Sequence, residues 1–155
     1  MPDPVTATAP LASRLLASHQ RLTGRALLPL REGEGEVPRA RRLYEAPFVV
    51  LAHDGSPDPR FNYANLAAQH LFERGWEELV GLPSRLSAEA PAREERERLL
   101  ERVGAHGFID DYSGVRIAQS GRRFRILRAT VWNVLDPAGE RIGQAATFSE
   151  WEPWP

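Results

Sequence analysis

The sequence contains no cysteine and only four histidines among its 155 residues. The absence of cysteine excludes disulfide bonds, thiolate zinc sites, thiol catalysis and a cysteinyl adduct to a flavin. The histidines lie far apart, without the HxH or HExxH spacing with which histidines bind a metal ion. The sequence therefore predicts no metal site and no chemistry that depends on a thiol.

The chain also lacks an excess of charge of either sign and any long apolar run. Its 20 basic and 21 acidic residues leave a formal net charge of −1, which gives no global attraction to nucleic acid or to a membrane. No run of about 18 apolar residues occurs, and MPDPVTATAPLASRLLASHQ is a poor signal peptide. With 42% hydrophobic and 26% charged residues, we expect one globular, cytoplasmic domain without a nucleic-acid or membrane partner.

The N-terminal quarter is predicted to form a disordered tail, one amphipathic helix and a linker. Leucines recur along one helical face between Leu11 and Leu22, and Gly24 stands where a helix would end. Glycine, glutamate and proline in LLPLREGEGEVPRARRLYEA are typical of a linker or mobile loop. We therefore divide the chain into an N-terminal segment, residues 1–42, and a compact domain, residues 43–155.

The compact domain is predicted to have strands at both ends and helices between them. The apolar run FVVLAHDG and the short RFNY indicate two strands, after which Asn62 or Asn65 can cap a helix. Helical patterns cover about 64–74, 76–80 and 91–103, and three strands joined by two turns follow. The order β-β-α-α-α-β-β-β predicts an α+β fold with an antiparallel sheet of about five strands and helices on one face.

The penultimate strand, RFRILRATVWNVL, carries apolar residues on both faces. Simple alternation gives two sets of side chains, Phe124, Ile126, Thr130 and Trp132 against Leu127, Ala129 and Val131. Because a sheet with one wet face would alternate more strictly, both faces need cover. The helices between the strands cover one face, and the N-terminal helix or a second copy of the chain would cover the other. We predict a homodimer through this outer face, with the N-terminal helix contributing.

Several stretches, in order along the chain, resemble a known family. FVVLAHDG, NLAA and WEELVGLP resemble the first half of a PAS domain, in which two strands lead to an asparagine-capped helix. A closer likeness is carried by a larger set of stretches, APFVVLAHDG, FNYANLAA, LPSRLSAE, REERERLL, GFIDDYSGVRI, GRRFRILRATVWN and GQAATFSEW. In these the chain resembles the MEKHLA domain family, which is PAS-related and is known in plant homeodomain-leucine zipper proteins and in stand-alone bacterial proteins.

The resemblance implies a PAS-like fold and a sensory or protein-interaction role, without an agreed ligand and without catalytic residues. The sequence shows no homeodomain, zipper, kinase or cyclase pattern, so we expect it to act through an unidentified signalling protein. We also expect an internal pocket for a small molecule. The candidate ligand-binding residues are Asn65, His70, Trp76, Tyr112, Arg116, Arg128 and Trp132.

The chemistry of these candidates leaves the cofactor unknown. Arg128 could hold an anionic group through two parallel hydrogen bonds. Alternatively, it could pair with an acidic residue such as Asp110, Asp111 or Glu89, or extend its charged end to solvent at the sheet edge. Flavin could bind only without covalent attachment. Haem is not expected, because a lone histidine on an apolar helix face, such as His70, is more often packed than bound to iron.

A second interpretation is a small enzyme of the isomerase or hydratase kind. Asp110, Asp111 and Tyr112, with His106 upstream, could form a proton-transfer site that contains a carboxyl group of raised pKa. However, neighbouring residues of a strand point to opposite faces, which favours a polar start to a strand instead. The sequence therefore favours a non-catalytic module over this enzyme.

Overall fold

The computed structural model describes residues 3–155 as one antiparallel sheet with helices on both of its faces. The strands are β1 (Val49–Asp54), β2 (Phe61–Ala64), β3 (Phe108–Ile117), β4 (Arg123–Leu135), β5 (Arg141–Phe148) and β6 (Glu150–Pro153). The helices are α1 (Pro4–Ala7), α2 (Ala9–Thr23), α3 (Glu36–Tyr44), α4 (Leu66–Phe72), α5 (Trp76–Leu79) and α6 (Ala90–His106), with a 3-10 turn at Ser84–Ser87.

The strands lie in the order β2-β1-β5-β4-β3, and every pairing is antiparallel. The long strand β4 pairs with β5 along its C-terminal half and with β6 along its N-terminal half. Helices α4 and α6 with the 3-10 turn lie on one face, which we call the inner face. The predicted α+β fold with an antiparallel sheet, intervening helices and an N-terminal helix is confirmed.

The outer face of the sheet is covered by α1, α2 and α3 of the same chain. Leu15 of α2 and Leu43 of α3 are fully buried, in one apolar cluster with Val50, Trp132 and Val134 of the sheet. The leucine face of α2 therefore packs within the chain, and the outer face is not free to receive a second copy. The predicted dimer interface is wrong for this reason, while the oligomeric state itself stays a prediction.

Two segments that were expected to be irregular are helical. Helix α1 lies within the predicted disordered tail, and an Oδ1 atom of Asp3 accepts a hydrogen bond at its N-terminus from the Val5 amide, at 3.1 Å. Helix α3 lies within the predicted linker, with Glu36 in its first turn and two arginines in its last turn, which suits the helix dipole. Both helices are stabilised by the apolar residues that they pack on the outer face of the sheet, Val5 of α1 and Leu43 of α3 among them. Whether residues 43–155 fold without this cover stays a prediction.

Two reciprocal bulges interrupt the pairing of β3 with β4. Asp111 and Arg128 have left-handed backbones, with φ values of 59° and 52°. Strand β3 has one additional residue between its paired positions Ile109 and Tyr112, and β4 has one additional residue opposite the step from Tyr112 to Gly114. Because one extra residue on each strand cancels the other, the register is restored beyond the bulges.

The bulge at Arg128 corrects the alternation expected for β4. Before it the even-numbered positions face inward, and after it the odd-numbered positions do, so the inner-face residues are Phe124, Ile126, Ala129 and Val131. Trp132 and Val134 belong to the outer cluster. The apolar character on both faces has two causes, the phase change at the bulge and the helical cover on each side.

Candidate ligand-binding site

An internal cavity of about 70 Å³ lies between the inner face of the sheet, helix α6 and the 3-10 turn. Its walls are mainly apolar and include Leu51, Phe61, Phe72, Leu99, Ile126, Val131 and Phe148. Since one water needs about 10–15 Å³ of such space, the cavity has room for roughly five to seven water-sized groups. It is therefore suited to a ligand of a few heavy atoms.

Strand β3 contributes two polar side chains to the cavity. Beyond the bulge, Tyr112, Gly114 and Arg116 alternate onto the inner face, and both Tyr112 and Arg116 line the cavity. A guanidinium N–H of Arg116 donates to the Tyr112 hydroxyl oxygen at 3.2 Å, and another donates to the Val115 carbonyl at 2.8 Å. Gly114 makes room for this contact, because a Cβ atom there would lie 2.2 Å from the Tyr112 hydroxyl oxygen.

Helix α6 contributes the most buried charge of the site. Arg96 is only 5% exposed and lies on the same helical face as Leu99 and Val103, which pack on Val131. Its guanidinium group donates a hydrogen bond to the hydroxyl oxygen of Ser84, which is itself buried. Burial, and after it the positive charge of Arg116, together lower the pKa of Arg96 to about 10.

Neither buried arginine has a carboxylate partner among residues 3–155. Nine arginines of the described chain form ion pairs within 4 Å of an acidic side chain, and neither Arg96 nor Arg116 is one of them. Arg116 reaches a carboxylate only indirectly, since the Tyr112 hydroxyl donates to Glu95 Oε1 at 3.3 Å. Two like charges therefore share an apolar cavity without direct neutralisation.

His53 and Gln144 complete the polar wall of the cavity. His53 is 9% exposed, and its Nδ1 lies 2.9 Å from the Asp54 carbonyl oxygen, to which it donates a hydrogen bond. The tautomer that this bond requires leaves Nε2 as an acceptor, which has no partner. Burial lowers the pKa of His53, so the ring is neutral at pH 7. The Gln144 side-chain amide donates to the Leu100 carbonyl at 3.0 Å and to Asn133 Oδ1 at 3.1 Å.

The polar wall also borders a groove on the protein surface. This groove lies between α6 and the turn that joins β1 to β2, and it shares His53, Arg96, Leu100 and Gln144 with the cavity. These four side chains therefore lie between the cavity and the surface groove.

Of the seven candidate ligand-binding residues, the structure brings only Tyr112 and Arg116 to the cavity. Asn65 is fully buried and caps α4, with Oδ1 accepting from the Val50 and Ala68 amides, and its Nδ2 donates to two carbonyls. His70 is exposed on α4. Trp76 and Trp132 belong to the outer cluster, where Trp132 packs edge-on against His19.

Arg128 is exposed at its bulge and does not line the cavity. It forms an ion pair, as one of the expected alternatives had it, but its partner is Glu150 rather than Asp110, Asp111 or Glu89. Sequence reasoning missed Arg96, His53 and Gln144 as site residues. A signal for Arg96 was present, because it is the one polar member of an apolar stripe with Leu99, Leu100 and Val103.

The three residues of the alternative enzyme site do not converge. Asp110 faces outward, where Arg25 donates to it at 2.9 Å and the Thr130 hydroxyl donates to it at 2.7 Å. Burial raises the pKa of Asp110, but these hydrogen bonds outweigh it and hold the pKa below the ordinary value. Asp111 is exposed at its bulge, whereas Tyr112 faces the cavity. The structure therefore does not support proton-transfer chemistry at this position.

Two further features of the described residues bear on function. Within residues 3–155, no cluster of three or more histidine, aspartate or glutamate side chains is arranged to hold a metal ion. Across the same residues, no helix is both long enough and apolar enough to cross a membrane.

The architecture is that of a PAS-like domain. The PAS domain of a protein from Colwellia psychrerythraea superposes with a TM-score of 0.61 at 13% identity, covering 76% of this chain and 94% of that one. A fungal LOV domain photoreceptor gives 0.57 at 16% identity, covering 86% and 88%. A Light-Oxygen-Voltage domain studied with a flavin analogue gives 0.54 at 17% identity, covering 75% and 84%. At these identities the likeness establishes the fold alone.

The sequence itself assigns the family. The model of the MEKHLA domain matches residues 9–153, and the chain belongs to the MEKHLA domain family. The match begins within α2, so it includes helices that cover the outer face as well as the sheet. The comparison with curated proteins found no match.

Proposed function

We propose that the chain is a cytoplasmic, non-catalytic sensory or protein-interaction module whose internal cavity takes a small molecule. The observation that carries the proposal is an apolar cavity into which two guanidinium groups without carboxylate partners are built. Buried charges are costly without a partner, so their presence in a cavity favours a ligand site over a packing defect. The PAS-like fold and membership of the MEKHLA family support a sensing role.

The cavity argues for a small ligand rather than a large cofactor. Its volume of about 70 Å³ is several times below the roughly 300–1,000 Å³ of sites for drug-sized ligands. A flavin or a haem is a ligand of at least that size, and the residues present would have to move apart to admit either. His53 is the one histidine that lines the cavity.

The position of the cavity suggests how occupancy would reach a partner. Strands β1, β4 and β5 lie between the cavity and the outer cluster. A ligand that displaces the inner-face side chains of these strands would therefore also change the packing of α2 and α3 on the outer face. We propose that the module acts through an unidentified signalling protein or a second copy of the chain. Because the outer face is covered, such a copy would contact another surface, and Trp151 and Trp154 of the C-terminal segment are the largest exposed aromatic side chains described. Sedimentation equilibrium of the full chain measures its oligomeric state.

A cavity-filling variant tests the proposed function. Ala129 is buried and lines the cavity, so an Ala129→Leu change would occupy the space without adding charge. A library of small fragments, screened by NMR against the full chain, should give ligands that shift signals of cavity residues. These ligands should no longer bind to the Ala129→Leu variant, whereas Ala105→Leu at an exposed position of α6 should bind them normally. A screen without cavity ligands, or binding that survives the filling, would contradict the proposal.

A further inference from the structure

We infer that the cavity is a site for a small organic anion, a short-chain monocarboxylate whose charged group lies between Arg96 and Arg116. This inference rests on the proposed function and specifies the chemical class of its ligand. It is carried by three observations, which are the two buried guanidinium groups without carboxylate partners, their spare hydrogen-bond donors and the apolar remainder of the cavity.

The first observation concerns charge. Arg96 and Arg116 are 5% and 8% exposed, and they come from separate elements, α6 and β3, onto one cavity. Neither belongs to an ion pair of the described chain, although nine other arginines do. Buried charges in proteins are paired or bound to an ion of opposite sign. An anion in the cavity would neutralise both groups at once.

The second observation concerns hydrogen bonds. Each guanidinium group has five N–H donors, of which Arg96 uses one on Ser84 and Arg116 uses two, on Val115 and Tyr112. The remaining donors have no acceptor among the side chains and carbonyl groups of the described residues. A carboxylate accepts up to four hydrogen bonds in the planar arrangement that guanidinium groups present, which matches this surplus of donors.

The third observation concerns the rest of the cavity, which is apolar. Leu51, Phe61, Phe72 and Phe148 offer only hydrocarbon surface, so a small inorganic anion would leave that part unfilled. A neutral His53 adds no further positive charge that would favour a dianion. With room for roughly five to seven water-sized groups, the cavity matches a monocarboxylate with a short alkyl chain, of the size of butyrate.

The test titrates the full chain with sodium butyrate, butyramide, sodium phosphate or sodium nitrate at one ionic strength. Calorimetry measures the affinity, and NMR shifts of Gly114 and its neighbours locate the ligand. We expect saturable binding of butyrate in the cavity, with butyramide, phosphate and nitrate at least about tenfold weaker. Butyramide has the shape of butyrate without its charge, so this comparison on the unmodified protein does not depend on any variant.

Arginine variants then test whether Arg96 and Arg116 hold the carboxylate group of butyrate. Arg96→Met and Arg116→Met keep an unbranched apolar stem, and each should weaken butyrate binding by roughly 10- to 100-fold, since each removes hydrogen bonds to a charged group. Arg98→Met, which removes an exposed arginine of the same helix, should leave the affinity unchanged. Circular dichroism is the check that each variant is folded.

The outcomes separate this inference from the proposed function. Equal affinity for phosphate or nitrate, or butyrate affinity unchanged in both arginine variants, would overturn the assignment to an organic anion. If butyramide or neutral fragments bind in the cavity while butyrate does not, the anion inference fails and the proposed function stands. If neither kind of molecule binds there, both fail.

Discussion

Replacing Arg96 by methionine is expected to stabilise the unliganded protein. Burial, together with the neighbouring charge of Arg116, lowers the pKa of Arg96 from its ordinary value of 12.5 to about 10. Between these two pH values the unfolded chain holds a proton that the folded chain has lost, so stability rises with pH in that window. At neutral pH the folded state consequently carries the whole penalty of the buried charge, about 3 kcal/mol.

Part of this gain is offset by what the substitution removes. Ser84 is 1% exposed and loses the donor that Arg96 supplies, which costs about 1–2 kcal/mol. Methionine keeps the apolar stem in contact with the cavity wall. The net expectation is a gain of about 1–2 kcal/mol, or roughly 2–8 °C in Tm for a chain of this size.

Urea denaturation of the full chain, in a buffer without small carboxylates, measures this difference. Arg98→Met is the matched control, because its side chain is 62% exposed and pairs only with Glu94, so its effect should stay within about 0.5 kcal/mol. A loss of more than about 1 kcal/mol in Arg96→Met, with the control unchanged, would refute the reasoning. Arg96 would then be a structural residue whose hydrogen bonds outweigh the cost of its burial.

Other substitutions test the packing and the bulges. Gly114→Ala should displace the Tyr112 hydroxyl and weaken cavity binding, because the new Cβ would lie 2.2 Å from that oxygen; unchanged NMR shifts of Tyr112 would contradict this. Leu15→Ala should lower the free energy of unfolding by roughly 2–5 kcal/mol in urea denaturation, since Leu15 is fully buried beneath the sheet, and a loss below about 1 kcal/mol would mean that α2 does not pack there. Arg128→Gly should be neutral or stabilising by up to about 1 kcal/mol, because glycine adopts a φ of 52° without strain, whereas Arg128→Val should destabilise; equal effects in thermal denaturation would argue against the bulge. The free energy of unfolding should fall less steeply with acid in Asp110→Asn than in the unmodified chain. The folded pKa of Asp110 is lowered, so its contribution to stability is complete above the unfolded value of 3.8 and is lost as pH drops through the folded value. Parallel pH profiles would show that Asp110 contributes nothing.

The order of the elements could be predicted because their ends are encoded locally. Asn65 caps α4 through its own side chain, and Gly24 ends α2 in the left-handed conformation that the sequence pattern suggested. The turns that join β3 to β4 and β4 to β5 are likewise short, and each contains one glycine with a positive φ, Gly121 and Gly139. Such signals depend on a few adjacent residues, so they can be read from the sequence without knowledge of the tertiary packing.

Which side chains of β3 and β4 face the cavity could not be predicted, because that depends on how the two strands pair. Aspartate tolerates a left-handed backbone better than most residues, but arginine gives no signal for one. Only the pairing of Tyr112 with Ala129 between the bulges fixes which side chains face inward. The same dependence on tertiary packing explains α3, a strongly charged segment that becomes helical as Ala40 and Leu43 reach the outer cluster.

The candidate site lies between these two cases. The helical spacing of Arg96 with Leu99 and Val103 places its side chain toward the sheet, and this can be predicted from the local sequence. Whether a buried arginine meets a carboxylate depends on which strand residue arrives opposite it, and here β3 brings Arg116 rather than an acidic residue. A core selected for stability alone gains more from an aliphatic side chain than from a buried charge without a carboxylate partner. Two such charges on one small apolar cavity are therefore better explained by an anion that binds between them than by the needs of the fold.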